Sequence, residues 1–353
     1  MTPFVLGIAG TTLTTAERSL FSRLQPFGYI LFSRNIESPA QTRALTDELR
    51  SLHQDDPLIA IDQEGGRVTR TAAIAPAAPS AVELAAHGVP HLIAEAACLN
   101  ADLLRLLGIN HNFAPVLDLD HHPELANSLR TRCWGRDPQR VIDHAGMWNR
   151  WHRKRGMTTC GKHFPACGRA TTDPHHDLPL SAATFSDLLA EDVMPYTALM
   201  PELDAIMLAH VLFPEIDRDL PASLSPRMIG AFLRNQLDFD HHVVLTDDLD
   251  MGAIADRFPD NSDVAAALKA GNDLALICHR TERAGDAAHQ VASLDSYARR
   301  DSEKRLLRLR KKLSGPLKWT DAAWDRCCEG LTGLREQVPT VSGPAANSPV
   351  ANY

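Results

Sequence analysis

Val243-Val244-Leu245-Thr246-Asp247-Asp248-Leu249 is a short, continuous apolar run that ends on two carboxylates. A run without polar alternation reads as a strand covered on both faces, as in a parallel sheet flanked by helices. Working outward, runs of this kind recur at residues 4–9, 29–32, 58–61, 109–117, 158–164, 205–209, 243–245 and 274–277. Helix-like amphipathic stretches separate them at residues 39–52, 90–107, 138–155, 185–200, 226–236 and 263–270. Repeated strand–helix units imply right-handed crossovers and a parallel sheet. Eight units in a chain of this length predict a single α/β domain, a closed (β/α)8 barrel of the TIM type rather than an open doubly wound sheet.

Three segments fall outside that plan. Residues 71–79, rich in Ala and Pro, read as a surface loop. Residues 299–313 carry many Lys and Arg beside Leu306, Leu307, Leu309 and Leu313, which suits an extra C-terminal amphipathic helix on the barrel exterior better than a nucleic-acid or lipid contact. The barrel domain with its C-terminal helices is expected over residues 1–334, and the Pro-, Ser- and Ala-rich stretch 335–353 is expected to be a disordered tail.

Composition narrows the partner. The 353 residues carry a net charge of −8, which disfavours nucleic acid or an anionic membrane, since both demand a broad positive field. The opening residues lack a basic leader and no segment approaches a membrane span, so a cytoplasmic location is expected. The seven cysteines are odd in number and form no C-x-x-C pair, which argues against a disulfide framework or zinc knuckle. A neutral substrate fits this balance better.

Polar residues gather just after the apolar runs, where a barrel places its active face. Asp62, Gln63 and Glu64 follow the third run, Asp118 and Asp120 the fourth, Lys162 and His163 end the fifth, His210 closes the sixth, and Asp247 with Asp248 closes the seventh. A carboxylate at that position is able to attack an anomeric carbon, although Asp247 or Asp248 read locally is equally well a helix cap. In Asp173-Pro174-His175, Pro174 favours extended backbone, which turns Asp173 and His175 to one side. Such a dyad exchanges protons near neutral pH; the plain alternative is a polar turn. The 16 histidines include three adjacent pairs but no H-E-x-x-H spacing, so no metal and no cofactor is expected, with a metallohydrolase built from scattered ligands as a rival.

Taken in order, these pieces resemble glycoside hydrolase family 3, in its β-N-acetylhexosaminidase branch associated with cell-wall recycling. The resemblance covers most of residues 5–280. It rests on Ile61-Asp62-Gln63-Glu64-Gly65-Gly66-Arg67-Val68, Asn112-Phe113-Ala114-Pro115-Val116-Leu117-Asp118, Arg132-Cys133-Trp134-Gly135, the stretch from Lys162 to Pro179, Ala209-His210-Val211, Pro221-Ala222-Ser223-Leu224-Ser225, Thr246-Asp247-Asp248-Leu249 and Ala270-Gly271-Asn272-Asp273. The resemblance implies that Asp247 is the nucleophile and His175 the general acid/base, oriented by Asp173. It implies that Asp62, Arg132, Lys162 and His163 bind sugar hydroxyls and that His210 lines the same pocket. The implied reaction is retaining exo-hydrolysis of terminal β-linked N-acetylglucosamine, from muropeptide or chitooligosaccharide fragments, through a glycosyl-aspartate. Phosphorolysis, β-glucosidase activity and sugar binding without catalysis are the rivals.

The chain departs from the family pattern in the catalytic loop. Ala166-Cys167-Gly168 stands where Gly-His-Gly is usual, Asp173-Pro174-His175 where Asp-Ser-His is usual, and Thr131 where an acidic residue commonly precedes the arginine. Lost glycine and gained proline stiffen a backbone, so loop motion and turnover are the expected casualties, and Thr131 is expected to loosen Arg132.

Overall fold

The computed structural model describes residues 2–125, 127–171, 178–258, 260–293 and 296–341. Ten strands are formed: β1 (Thr2–Leu6), β2 (Pro26–Leu31), β3 (Leu58–Ile61), β4 (Gln63–Gly65), β5 (Val68–Thr69), β6 (His111–Asn112), β7 (Thr158–Phe164), β8 (Ala205–Leu208), β9 (Val243–Asp248) and β10 (Leu274–Ile277). Eight of them close a parallel barrel in the order β1-β10-β9-β8-β7-β6-β3-β2, while β4 and β5 make a separate antiparallel hairpin. The closure pairs Leu6 with Ile277, so first and last strands meet in register. Helices packed outside complete the (β/α)8 architecture that the alternation of runs predicts.

Side-chain parity sorts the barrel into two layers. Val5, Leu58, Ala60, Cys160, Ala205, Met207, Val243, Leu245, Leu274 and Leu276 fill the interior, and their neighbours Ile59, Ile61, Ile206, Leu208, Val244 and Ala275 face the helices. The same parity, carried one step past each strand, decides which polar side chains enter the mouth.

Several expected elements differ in detail. The run at 109–117 forms only the two-residue β6, because Pro115 has no amide to donate; pairing resumes beyond it, where Val116 bridges Lys162 and the Leu117 amide donates to the Lys162 carbonyl at 2.6 Å. The stretch 185–200 is two helices, Phe185–Ala190 and Met194–Leu199, since Pro195 cannot donate back into the preceding turn and opens the second helix instead. Residues 71–79 are a loop, but a partly buried one. Gly66 donates to the Ala78 carbonyl at 2.8 Å, and Gly65 has φ of +96° with its Cβ position only 2.5 Å from the Pro79 carbonyl oxygen. Only glycine fits that approach.

The C-terminal helix Ser296–Arg310 does more than cover the exterior. Leu306 and Leu309 pack with Val5, Phe27, Leu58, Val243 and Leu274 at the N-terminal ends of the strands, sealing the base of the barrel. Each buried leucine contributes about 1.5–3 kcal/mol. The basic residues that suggested a nucleic-acid face are engaged instead: Arg305 pairs with the fully buried Asp273, Lys312 with Asp204 and Arg310 with Asp55. The last helix, Asp321–Gln337, runs through the expected domain end at 334, because Leu331, Leu334 and Val338 are all buried against the domain. Residues 342–353 of the expected tail lie outside the described residues. Among the described residues no helix is long and apolar enough to cross a membrane.

Candidate active site

Inward parity delivers Asp62 after Leu58 and Ala60, Lys162 after Cys160, and Asp247 after Val243 and Leu245, so three strands aim three charges at one space. His163 follows Lys162 directly and would face outward by strict alternation. The register shift in β7 between Gly161 and Phe164 brings it into the same space. Arg132, from the long connection after β6, and His210, beyond β8, complete the wall. All six expected pocket residues therefore line one depression at the C-terminal ends of the strands, with about 690 Å³ of empty space, the open solvent at its mouth included. Asp173 and His175 lie outside the described residues.

The polar wall is an ion-pair lattice. The Lys162 ammonium sits 2.6 Å from Asp62 Oδ1 and 2.7 Å from Glu64 Oε1. Arg132 grips Glu64 with both arms, Nε to Oε2 and Nη2 to Oε1, each at 2.8 Å. Arg70 closes the far side, 3.5 Å from Asp62 Oδ2. Burial opposes charge on Glu64, yet Arg132 and Lys162 outweigh it and hold the carboxyl well below the usual carboxylate range. For Lys162, burial likewise opposes charge, but Asp62 and Glu64 raise the ammonium above its ordinary value. A lattice of fixed, charged donors and acceptors suits a ligand bearing vicinal hydroxyls. Glu64 and Arg70 are the members whose roles sequence reasoning did not assign. The Glu64 fork accounts for Arg132 being firmly oriented despite Thr131, which itself adopts φ of +67°.

Asp118, also left without a role by the sequence, organises the wall from behind. Its fully buried carboxylate accepts from the His163 amide at 2.9 Å, from His163 Nδ1 at 2.7 Å, and from the Cys167 and Gly168 amides at 2.6 and 3.2 Å. Because a carboxylate only accepts, His163 donates from Nδ1 and turns Nε2 toward Arg132 Nη2, 3.4 Å away. The same carboxylate fastens Ala166-Cys167-Gly168, the start of the loop whose composition departs from the family pattern. Beyond it, Arg169 pairs with Asp192 and Glu191, and the returning chain is secured where Leu212 donates to the Pro179 carbonyl at 2.9 Å. His121, Glu191 and Asp192 form the group of potential metal ligands among the described residues, and Arg169 already spans its two carboxylates at 2.5 and 3.0 Å.

Asp247 accepts a 2.8 Å hydrogen bond from the Asp248 amide. Burial would raise its carboxyl, but His163, His210, that amide and Lys162 outweigh it and hold Asp247 below its ordinary value. An ionised carboxylate at the pocket floor is a competent nucleophile toward an electrophilic carbon. His210 is fixed by the Asp248 carbonyl, 2.9 Å from Nε2, and by Ser223 Oγ, 2.7 Å from Nδ1. Asp248 shares the strand end, but burial together with Asp250 and Asp247 pushes its carboxyl above the ordinary range.

Comparison with known proteins converges on one family. The sequence model of the Glycosyl hydrolase family 3 N terminal domain matches residues 7–309. A Beta-hexosaminidase of Pseudomonas aeruginosa is 38% identical over 285 residues, covering 78% of this chain and 82% of that protein. A Beta-hexosaminidase of Alkalilimnicola ehrlichii is 35% identical over 338 residues, covering 91% and 94%. Among solved structures, the family 3 beta-N-acetylglucosaminidase from Paenibacillus sp. str. FPU-7 superposes with a TM-score of 0.87 at 31% identity over 95% of this chain and 67% of that one. NagZ from Neisseria gonorrhoeae in complex with N-trifluoroacetyl-D-glucosamine gives a TM-score of 0.79 at 27% identity over 94% and 97%. The ordered motifs, the closed barrel and these similarities agree that the chain is a member of glycosyl hydrolase family 3, in the branch of the β-N-acetylhexosaminidases.

Proposed function

We propose that this glycoside hydrolase removes terminal, non-reducing β-linked N-acetylglucosamine with retention of configuration. The observation that carries the reading is Asp247, an ionised carboxylate on the inward parity of β9, facing a wall of paired charges at Asp62, Glu64, Lys162 and Arg132. Asp247 attacks the anomeric carbon as the glycosidic bond breaks, and His175, held by Asp173, gives its proton to the departing oxygen. His175 then takes a proton from water as that water displaces Asp247, which frees the sugar. Asp62, Lys162, Arg132 and His163 hold the hydroxyls of the terminal ring. The packed barrel interior, with Leu306 and Leu309 at its far end, closes the space beneath the pocket, which suits exo attack on chain ends. Muropeptide or chitooligosaccharide fragments are the proposed substrates, and the cytoplasm, which keeps thiols reduced, the proposed compartment, in keeping with seven unpaired cysteines.

The test is turnover of an aryl N-acetylglucosaminide by wild type, Asp247→Asn and His175→Ala, with an aryl glucoside alongside. Wild type releases N-acetylglucosamine, Asp247→Asn loses about 10⁴-fold or more in kcat, and a fluorinated slow substrate leaves an ester on Asp247 in a peptide digest. A label on another residue, or an Asp247→Asn variant as active as wild type, would refute the assignment. Sugar 1-phosphate as the product in phosphate buffer would replace hydrolysis by phosphorolysis.

A further inference from the structure

Asp248 follows the nucleophile but has the opposite parity, and its carboxyl turns toward β10. Oδ1 accepts from the Asp250 amide at 3.0 Å and from the Cys278 amide at 3.2 Å, tying the end of β9 and the loop after it to β10. Oδ2 is buried and makes no hydrogen bond among the described residues. We propose that Asp248 is a positioning residue that works as an uncharged acid, bracing the strand end that presents Asp247 without placing a second negative charge beside it. The catalytic half of this proposal rests on Asp247 as nucleophile; the protonation of Asp248 does not.

Burial and the neighbouring carboxylates favour the uncharged form, against the Asp250 and Cys278 hydrogen bonds and the nearby Arg34 guanidinium, which favour the charged one. Asp247 is adjacent and ionised, and Asp250 is held ionised by Arg280 and Arg283, each at 2.9 Å. From β10, the Cys278 thiol is itself pushed upward by burial and by Asp248 and Asp250, so it stays a neutral thiol and adds no further anion. His279 Nε2 lies 3.6 Å from Oδ2, outside hydrogen-bond range, and the Arg34 guanidinium lies 3.4 Å from its Nδ1. From β8, His210 meets the backbone carbonyl of Asp248 and not its carboxyl. Apart from imidazoles, the described pocket lining holds Asp62, Glu64 and Asp247 against Arg70, Arg132 and Lys162, so its charge balances without ionising Asp248. The upward push on the Asp248 carboxyl by burial, Asp250 and Asp247 agrees with this geometry.

A folded state that keeps a proton the unfolded chain has released loses stability as pH rises. Wild type should therefore weaken relative to Asp248→Asn by about tenfold in unfolding constant per pH unit between roughly pH 5 and pH 7. Urea unfolding of both proteins across that range reads the slope. Asp248→Asn, which keeps the acceptor for both amides, should be at least as stable as wild type at pH 7. Asp248→Ala, which leaves the Asp250 and Cys278 amides unpaired, should lose about tenfold in kcat with KM within about threefold, and Asn should restore most of that kcat. Parallel stability curves, an Asn variant less stable than wild type at pH 7, or an Asn variant as slow as Ala would each overturn the proposal. A wild type that releases no N-acetylglucosamine would sink the hydrolase reading, while the stability slopes would still decide the charge on Asp248.

Discussion

Removing the carboxylate of Glu64 tests the architecture of the proposed sugar-binding wall most directly. Glu64 is buried and neutralises two cations at once, Arg132 through a two-armed contact at 2.8 Å and Lys162 at 2.7 Å. In Glu64→Ala, Lys162 retains Asp62 at 2.6 Å, whereas Arg132 retains only the Ser128 carbonyl at 3.1 Å and the His163 ring at 3.4 Å. A buried guanidinium stripped of its counter-ion costs about 3–5 kcal/mol, so with a urea dependence of roughly 3 kcal/mol per molar the unfolding midpoint should fall by about 1–1.5 M. The carboxyl titrates below its ordinary value when folded, so its stabilisation is fully present above about pH 5 and fades as pH falls below about 4. The gap between wild type and Glu64→Gln should follow that course. KM for the aryl N-acetylglucosaminide should rise more than kcat falls, because the lattice is proposed to bind hydroxyls. A Glu64→Ala midpoint within about 0.3 M of wild type, together with an unchanged KM, would refute the reasoning.

Two further outcomes follow from the same geometry. Asp118→Ala leaves four donors in the His163 and Cys167-Gly168 segment without an acceptor, so kcat/KM should drop by about 10²-fold or more, while circular dichroism at ambient temperature still reports a folded barrel; an active Asp118→Ala enzyme would deny the organising role of this carboxylate. Thr131→Asn relieves a β-branched residue at φ of +67° and should raise stability by about 0.5–1 kcal/mol in urea unfolding with Arg132 function retained, whereas a loss would show that the Thr131 side chain supports the loop.

The fold was legible because its signals are local. Six of the eight barrel strands announce themselves in three to six adjacent apolar residues, and Ser38-Pro39 with Gln41 starts a helix by chemistry confined to one turn: the Ser38 hydroxyl takes the Gln41 amide and Pro39 needs no donor there. Errors arose where a single residue interrupts a pattern. Pro115 interrupted a nine-residue run so that only two of its residues form a regular strand, and Pro195 split one amphipathic stretch into two helices. The pocket was legible in its identities but not in its bonds. Strand parity, once the register is known, places Asp62, Lys162 and Asp247, yet Glu64 and Arg132 meet across 68 positions of chain, and Asp118 reaches the loop 49 residues on. No local rule encodes such pairs. His163 defeats parity altogether, since only the irregularity in β7 turns it inward.

The base seal formed by Leu306 and Leu309 has a bearing on traffic. A cup with a filled bottom admits and discharges through one rim, so a freed monosaccharide must climb out past the incoming glycan before that glycan can seat its next ring. Under the exo-hydrolysis proposed above, each cleavage would then end in separation, and chain ends would be trimmed in isolated bites instead of by sliding along a polymer.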